Sequence, residues 1–128
     1  MEEFVISSFK KEFYPIEDKF NLIRLTLEEA YESKDEIVAQ PGVYIFWFED
    51  KIIKVGRHLT NSRKRALEHI RDNTRNDEYQ MKSLDSCNIN CGLILINCIN
   101  TKDTHWVAAI EIYLEDVLKP VIKSSRTG

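Results

Sequence analysis

The chain has 128 residues, of which 43% are hydrophobic and 30% charged, and its formal net charge is −3. These values are typical of one globular domain that buries a core without disulfide or metal cross-links. The longest apolar runs, 43–48 and 93–96, are too short to span a bilayer. Because phosphate contacts favour a basic surface, the acidic balance argues against an extensive nucleic-acid interface.

The amino terminus and the cysteines predict a cytoplasmic protein with reduced thiols. Glu2 and Glu3 place negative charge where a signal peptide would carry basic residues, so no secretion signal is expected. Cys87, Cys91 and Cys98 form neither a Cys-x-x-Cys pair nor a zinc-binding pattern. We therefore expect free thiols, two of them in the core.

The first 40 residues predict little regular structure apart from one helix. Residues 4–6 are apolar, which predicts a short strand, and the stretch that follows is irregular as far as Lys19. Thr26 and Glu29 have the spacing of a capping box, in which a hydroxyl and a carboxylate three residues apart satisfy the start of a helix. This helix is expected to run to about Val38, where a Gln-Pro-Gly sequence stops it.

Two strands form the predicted centre of the domain. β-Branched and aromatic residues fill 43–48, a polar turn follows, and the chain returns as a second strand over 51–55 that is ended by Gly56. If the turn holds an odd number of residues, side-chain alternation puts Tyr44, Lys54 and Gly56 on one face. Lys54 interrupts an apolar run, and it is either a functional group or an edge-strand lysine that prevents aggregation.

The second half of the chain predicts helices around one more strand. In chain order these are a helix over 61–73, a shorter helix over 77–84, a strand over 92–99 and a last helix over 104–118. The apolar strand would be covered on both faces. The whole order indicates a small α/β (α+β) domain with a mixed or antiparallel three-stranded sheet flanked by helices.

The last predicted helix carries one carboxylate beside its apolar stripe. At about 100° per residue, Glu111 lies between Val107 and Leu118 at the edge of the apolar face. A carboxylate near an apolar seam costs free energy unless a cation neutralises it. A metal ion or an arginine would do so; otherwise the side chain turns outward to water or forms an ordinary ion pair.

Arg65 and His69 are four residues apart, so they share one face of the predicted helix 61–73. Two basic side chains on one face are suited to a shared anionic ligand, since a guanidinium fork matches phosphate oxygens. The alternative is a pair of solvated surface residues.

Taken in order, these polar residues resemble the GIY-YIG nuclease family. The matching positions are Gly42-Val43-Tyr44, Lys54-Val55-Gly56, the basic Arg57, the helical pair Arg65 and His69, and Glu111 with Pro120 nine residues later. Each motif alone is weak, but the ordered series falls on the predicted strand, strand, helix, strand and helix.

Two positions depart from the family pattern. Lys54 replaces the tyrosine of the second motif, which is similar to some restriction-enzyme-like members that carry a lysine there. Lys123 stands where the family's late asparagine would fall, three residues after Pro120.

The resemblance implies a metal-dependent endonuclease that hydrolyses phosphodiester bonds of nucleic acid, with DNA expected rather than RNA. A GIY-YIG-like nuclease domain would span 41–128, and residues 1–40 would be an extension with one helix packed on it. Glu111 would hold Mg²⁺ or Mn²⁺. Tyr44 would activate the attacking water, with Lys54 and Arg57 lowering the pKa of the phenol.

The resemblance and the uneven charge together assign the anion contacts. The scissile phosphate would be bound by Arg57, Arg65 and His69, with His69 alternatively relaying a proton. The expected nucleic-acid-binding residues are Arg57, Arg63, Arg65, Lys123 and Arg126.

Two other functions stay open. The departures at Lys54 and Lys123, with the acidic net charge, favour a non-catalytic nucleic-acid-binding module of the same fold. An acidic helix over 28–36 would suit a protein-interaction domain, although its apolar residues are equally suited to packing on the domain itself. A homodimer would supply a second cleavage site.

Overall fold

The computed structural model describes residues 1–124, which fold as an α+β domain. Its helices are α1 (Glu2–Phe13), α2 (Leu27–Glu32), α3 (Ser62–Arg71) and α4 (His105–Leu118). Its strands are β1 (Phe20–Leu25), β2 (Gly42–Phe48), β3 (Lys51–His58) and β4 (Cys91–Cys98). Short 3₁₀ helices cover Tyr14–Lys19, Glu36–Ala39, Met81–Ser86 and Thr101–Asp103.

The sheet is antiparallel throughout, with the order β1-β4-β2-β3. The predicted fold class is confirmed, and the sheet has four strands where three were expected. β1 was missed because Asn21 and Arg24 break its apolar pattern. It forms because every residue of Phe20–Leu25 pairs with β4, which is a long-range contact that local sequence does not encode.

The strand predicted at residues 4–6 is wrong, because this segment lies inside α1. Val5 and Phe9, four residues apart, are fully buried on the side of the sheet where α1 contacts α4. A helix places both side chains on one face, so tertiary packing overrides the strand propensity of the short apolar run.

The two faces of the sheet have separate cores. Val43, Ile45 and Val55 point towards α1 and α4. Tyr44 and Phe46 point towards α2, α3 and the Met81–Ser86 turn. This alternation makes β2 and β4 apolar on both sides, as expected for strands that are covered on both faces.

Several predicted boundaries change. The Thr26–Glu29 capping box is present, but α2 ends at Glu32 and not near Val38. Its Leu27 and Ala30 pack in the domain's own core. The helix predicted at 77–84 is the 3₁₀ segment Met81–Ser86, and β3 continues past Gly56 to His58.

The extension predicted over residues 1–40 contains two α-helices and strand β1, and not one helix alone. Because β1 is an integral part of the sheet, these residues complete the fold. No helix among residues 1–124 is long and apolar enough to cross a membrane.

The cysteine prediction is wrong for one pair. Cys87 and Cys91 form a disulfide in the turn that enters β4, and their Cα atoms are 6.5 Å apart. Cys98 is a free, buried thiol, and burial raises its pKa. The turn brings the first two sulfurs together, which the spacing of the residues alone did not indicate.

The segment after α4 covers the outer edge of β3. The amides of Val121 and Ile122 donate to the carbonyl oxygens of Ile52 and Ile53, both at 2.9 Å. Ile122 forms a parallel bridge with Lys54 and is buried. The chain therefore runs along β3 and reaches the place where the predicted polar residues gather.

Candidate active site

An open cleft of about 250 Å³ lies beside the carboxyl-terminal half of β3. Its lining residues are Tyr44, Lys54, Gly56, Arg57, Arg65, His69, Glu111 and Ser124. All six residues predicted to be catalytic thus lie in one place, although they come from β2, β3, α3 and α4.

The position of β3 at the sheet edge explains how both faces contribute. In the β2–β3 register Tyr44 lies opposite Gly56, and Phe46 lies opposite Lys54. Tyr44, Lys54 and Gly56 therefore share the α3 face. The turn holds only Glu49 and Asp50 and not the odd number of residues that this arrangement was expected to need, and a register shift between Phe46 and Trp47 brings it about instead. Arg57 points to the other face, where it meets Glu111 of α4. Because no strand of the sheet follows β3, side chains from the two faces approach each other around its edge.

Gly56 leaves the space that the Tyr44 ring occupies. A Cβ atom at position 56 would lie 2.2 Å from the phenol oxygen and 2.3 Å from the adjoining ring carbon. Such distances are far inside van der Waals contact, so only glycine lets the ring lie across β3. The glycine of the second motif is thus explained by packing against the tyrosine of the first.

A chain of hydrogen-bonding groups leads from Tyr44 through His69 to Thr74. The Tyr44 hydroxyl and His69 Nε2 are 2.8 Å apart, and His69 Nδ1 lies 2.6 Å from Thr74 Oγ1. Tyr44 and His69 are only 3% and 8% exposed. Since both imidazole nitrogens are occupied within the domain, His69 is placed to exchange protons with Tyr44.

Burial holds both groups in their neutral forms. Desolvation, together with the positive charges of Lys54 and Arg65, lowers the pKa of His69 to about 4. Desolvation raises the pKa of Tyr44 well above its usual value, and Arg65 opposes this rise only in part, through its charge and a hydrogen bond. The predicted lowering of the Tyr44 pKa by Lys54 and Arg57 is therefore wrong, because burial outweighs the nearby cations.

Glu111 is buried in the cleft with an arginine partner. Glu111 is only 2% exposed, and Arg57 Nη1 donates to its Oε1 at 3.0 Å. The Ser124 hydroxyl has two acceptors for its one proton within reach, Oε2 at 3.4 Å and the carbonyl oxygen of Val55 at 3.2 Å. Arg57 is thus one of the neutralising groups that the sequence predicted for Glu111.

The cleft offers a magnesium ion one carboxylate. Mg²⁺ accepts a single protein carboxylate when water and substrate oxygens fill its other positions. Glu111 is the only carboxylate among the described residues that line this cleft. Within residues 1–124 no three His, Cys, Asp or Glu side chains are grouped to hold a metal ion by themselves.

The cleft carries more positive than negative side chains, although the protein as a whole has a net negative charge. Lys54, Arg57 and Arg65 face the one carboxylate of Glu111. Arg65 also pairs with Glu68 at 3.2 Å, one turn further along α3. This excess of positive charge favours an anionic ligand.

Two of the other predicted nucleic-acid contacts, Arg63 and Lys123, lie outside the cleft. The guanidinium of Arg63 donates to the carbonyl oxygens of Ala30 and Ser33, at 2.9 and 2.8 Å, and so satisfies the end of α2. Lys123 is exposed beside the outer surface of α4. Arg126 lies outside the described residues.

Sequence reasoning missed Thr74 and Ser124. Thr74 lies beyond the predicted helix end and belongs to no motif, and Ser124 follows the break at Pro120. For Thr74, the sequence offers only a weak signal: it is a polar residue just after the helix that carries His69. For Ser124, local sequence offers no signal, because the position of this residue depends on the pairing of residues 121–122 with β3.

No protein-family model, no curated protein and no solved structure matches this chain. The likeness to GIY-YIG nucleases therefore stays a prediction that rests on the residues and on their arrangement in the cleft.

Proposed function

We propose that this protein is a GIY-YIG-type phosphodiesterase that cleaves nucleic acid as an endonuclease, with DNA as the expected substrate. The observation that supports this most is the meeting of a phenol, an imidazole, three cations and one acid in one open cleft. Packing alone would not require six such polar groups from four elements to converge.

The cations provide the phosphate site. Arg65 is about two-fifths exposed at the mouth of the cleft and offers a planar set of donors to phosphate oxygens. Arg57, now paired with Glu111, adds a second guanidinium on the opposite wall. Two arginines on facing walls stabilise the negative charge that develops on the phosphoryl oxygens during hydrolysis.

Tyr44 and His69 together remove the proton of the attacking water. The phenol is protonated near pH 7 because its pKa is raised, so it does not act as a phenolate base. It accepts the water's proton as its own proton passes to His69 Nε2, 2.8 Å away. The imidazole is neutral before the reaction because burial and neighbouring cations lower its pKa. Negative charge on a bound phosphate offsets those cations and lowers the free-energy cost of protonating the His69 ring.

Glu111 is the residue that would hold Mg²⁺ or Mn²⁺. The ion would stabilise charge on the phosphoryl group and on the leaving oxygen. Arg57 must then share or release the carboxylate, and a bound phosphate offers it a replacement partner.

Lys54 replaces the tyrosine of the second motif with a buried cation. Its charge acts directly on His69, where it favours the neutral imidazole. In the proposed reaction Lys54 keeps His69 unprotonated until phosphate binds.

The Arg57–Glu111 ion pair favours one other function, a phosphate-binding module that does not cleave. In that function the acid serves only to hold the arginine in place. Nucleic acid would then bind equally well with and without divalent ions.

Nicking of a supercoiled plasmid, with and without Mg²⁺, separates the two functions. We expect cleavage by the wild type only with the ion, and a loss on the order of 10²–10³-fold in Glu111→Gln. Asp116→Asn is the matched control, because Asp116 is exposed on the same helix and lines a different groove. Full cleavage by folded Glu111→Gln would contradict the role of Glu111. Plasmid binding without nicking by the wild type would support the second function.

A further inference from the structure

Thr74 is placed against His69 by the way α3 ends. Asn73 adopts a left-handed conformation with φ 52°, and its amide donates to the Ile70 carbonyl at 3.1 Å. The Thr74 amide donates to the His69 carbonyl at 2.9 Å. These two bonds form a Schellman motif, in which the residue after the left-handed position returns to contact the residue five earlier.

In this chain the two side chains that the motif brings together, those of His69 and Thr74, make a polar contact. A Schellman motif is often accompanied by an apolar contact between these two positions. In this chain Thr74 Oγ1 lies 2.6 Å from His69 Nδ1 instead. The Met81 amide donates to the Thr74 carbonyl at 3.0 Å, so the threonine backbone is held from both sides.

The groups around the Tyr44 hydroxyl determine which nitrogen of His69 carries the imidazole proton. Arg65 lines the same cleft as Tyr44, and its positive charge favours the hydroxyl orientation in which the oxygen points towards the guanidinium and the proton points away from it. The proton of the phenol is then directed to His69 Nε2, 2.8 Å away. A neutral imidazole carries one proton, so Nδ1 must hold it, and the threonine oxygen is the acceptor within reach.

We propose that Thr74 is a positioning residue that keeps His69 in the Nδ1-protonated tautomer and leaves Nε2 free to take the proton of Tyr44. This inference rests on the proposed function only for its catalytic consequence, since the tautomer is a property of the folded protein itself. With the other tautomer, Nε2 would donate to the phenol and could not accept from it.

Nitrogen-15 NMR of the imidazole rings tests the tautomer without any substrate. The wild type should show His69 with a protonated Nδ1 and an unprotonated Nε2 at pH 7.5. Thr74→Ser keeps the hydroxyl and should keep this pattern, whereas Thr74→Val, of similar shape, should shift His69 towards the other tautomer. Disappearance of the signal in His69→Gln assigns it, and His58 and His105 serve as internal references.

Plasmid cleavage by the same variants tests the consequence. We expect Thr74→Val to be roughly 10–100-fold slower, as when a residue that orients a catalytic group is removed, and Thr74→Ser to be close to the wild type. An Nε2-protonated His69 in the wild type, or an unchanged tautomer in folded Thr74→Val, would overturn the inference. The expected tautomers in a wild type that never cleaves would support the positioning role and contradict the nuclease function.

Discussion

At the scale of single residues, burial has more influence on the cleft than charge does. Tyr44 lies among cations that would favour phenolate, yet desolvation raises its pKa. His69 lies between Lys54 and Arg65, and there desolvation and charge act together to lower its pKa. The pair is therefore neutral at pH 7, which suits a proton relay better than a phenolate base.

The lowered pKa of His69 predicts how stability depends on pH. The unfolded chain binds this proton with a pKa near 6.5, and the folded protein with a pKa of about 4. Protons thus favour the unfolded state, and the stabilisation present above pH 6.5 is lost as the pH falls towards 4. Between pH 7.5 and 5.0 we expect this group to remove about 2 kcal/mol from the free energy of unfolding.

Urea unfolding at the two pH values measures the effect. The pH-dependent loss should shrink in His69→Gln and persist in His105→Gln, which changes an exposed imidazole. An equal loss in wild type and His69→Gln would show that the fold does not hold this histidine neutral.

At the scale of elements, the edge strand β3 assembles the site. It presents Lys54 and Gly56 to one face and Arg57 to the other, while residues 121–122 cover its outer edge. A central strand could not do this, because neighbouring strands on both sides would keep the two faces apart. The geometry of the cleft therefore depends on close packing between Tyr44 and the backbone of β3.

Gly56→Ala tests that packing. The added methyl group overlaps the Tyr44 phenol, so the ring must move away from His69. We expect a loss of about 1–3 kcal/mol in the free energy of unfolding and a fall in cleavage even where the protein is fully folded.

Gly92→Ala, in β4, is the matched control. Its methyl group would lie 2.9 Å from the Leu25 carbonyl oxygen and 2.9 Å from Trp47 Nε1, far from the cleft. We expect it to reduce stability while the folded protein cleaves at the normal rate. Equal cleavage rates in the two folded variants would contradict the proposed dependence on Tyr44.

At the scale of the whole molecule, a net charge of −3 coexists with a cationic cleft. Arg63 satisfies backbone carbonyl oxygens at the end of α2, so it does not extend the cationic surface. Few phosphates can then be contacted at once, and the rest of the surface repels the polyanion. Binding should be local and weak compared with that of a basic DNA-binding domain.

The salt dependence of DNA binding measures the number of phosphate contacts. The two arginines of the proposed phosphate site predict a slope of log affinity against log salt of about −2. Arg65→Gln should reduce the magnitude of the slope by about one, and Lys64→Gln, an exposed neighbour on another side of α3, should leave it unchanged. Fluorescence anisotropy in EDTA measures the slope without cleavage. No measurable affinity at low salt would favour the protein-interaction alternative, and a slope near −8 would contradict a small cleft.

The sequence by itself determined the parts of this protein that depend on neighbouring residues. Alternation and periodicity located the β2–β3 hairpin, α3, β4 and α4. The polar residues that these elements carry into the cleft were singled out from the same patterns together with the resemblance to GIY-YIG nucleases. Such patterns are local, because side-chain direction repeats every two residues in a strand and every 3.6 in a helix.

Only the tertiary structure decided the features that depend on distant segments. β1 exists because it pairs with β4, and α1 is a helix because Val5 and Phe9 pack on the sheet and α4. The neutral state of Tyr44 depends on how deeply it is buried. The Glu111–Arg57 pair and the Thr74 contact likewise join elements whose approach no short pattern encodes. Desolvation and contact between remote parts of the chain are properties of the packed core, so they arise only when the fold is complete.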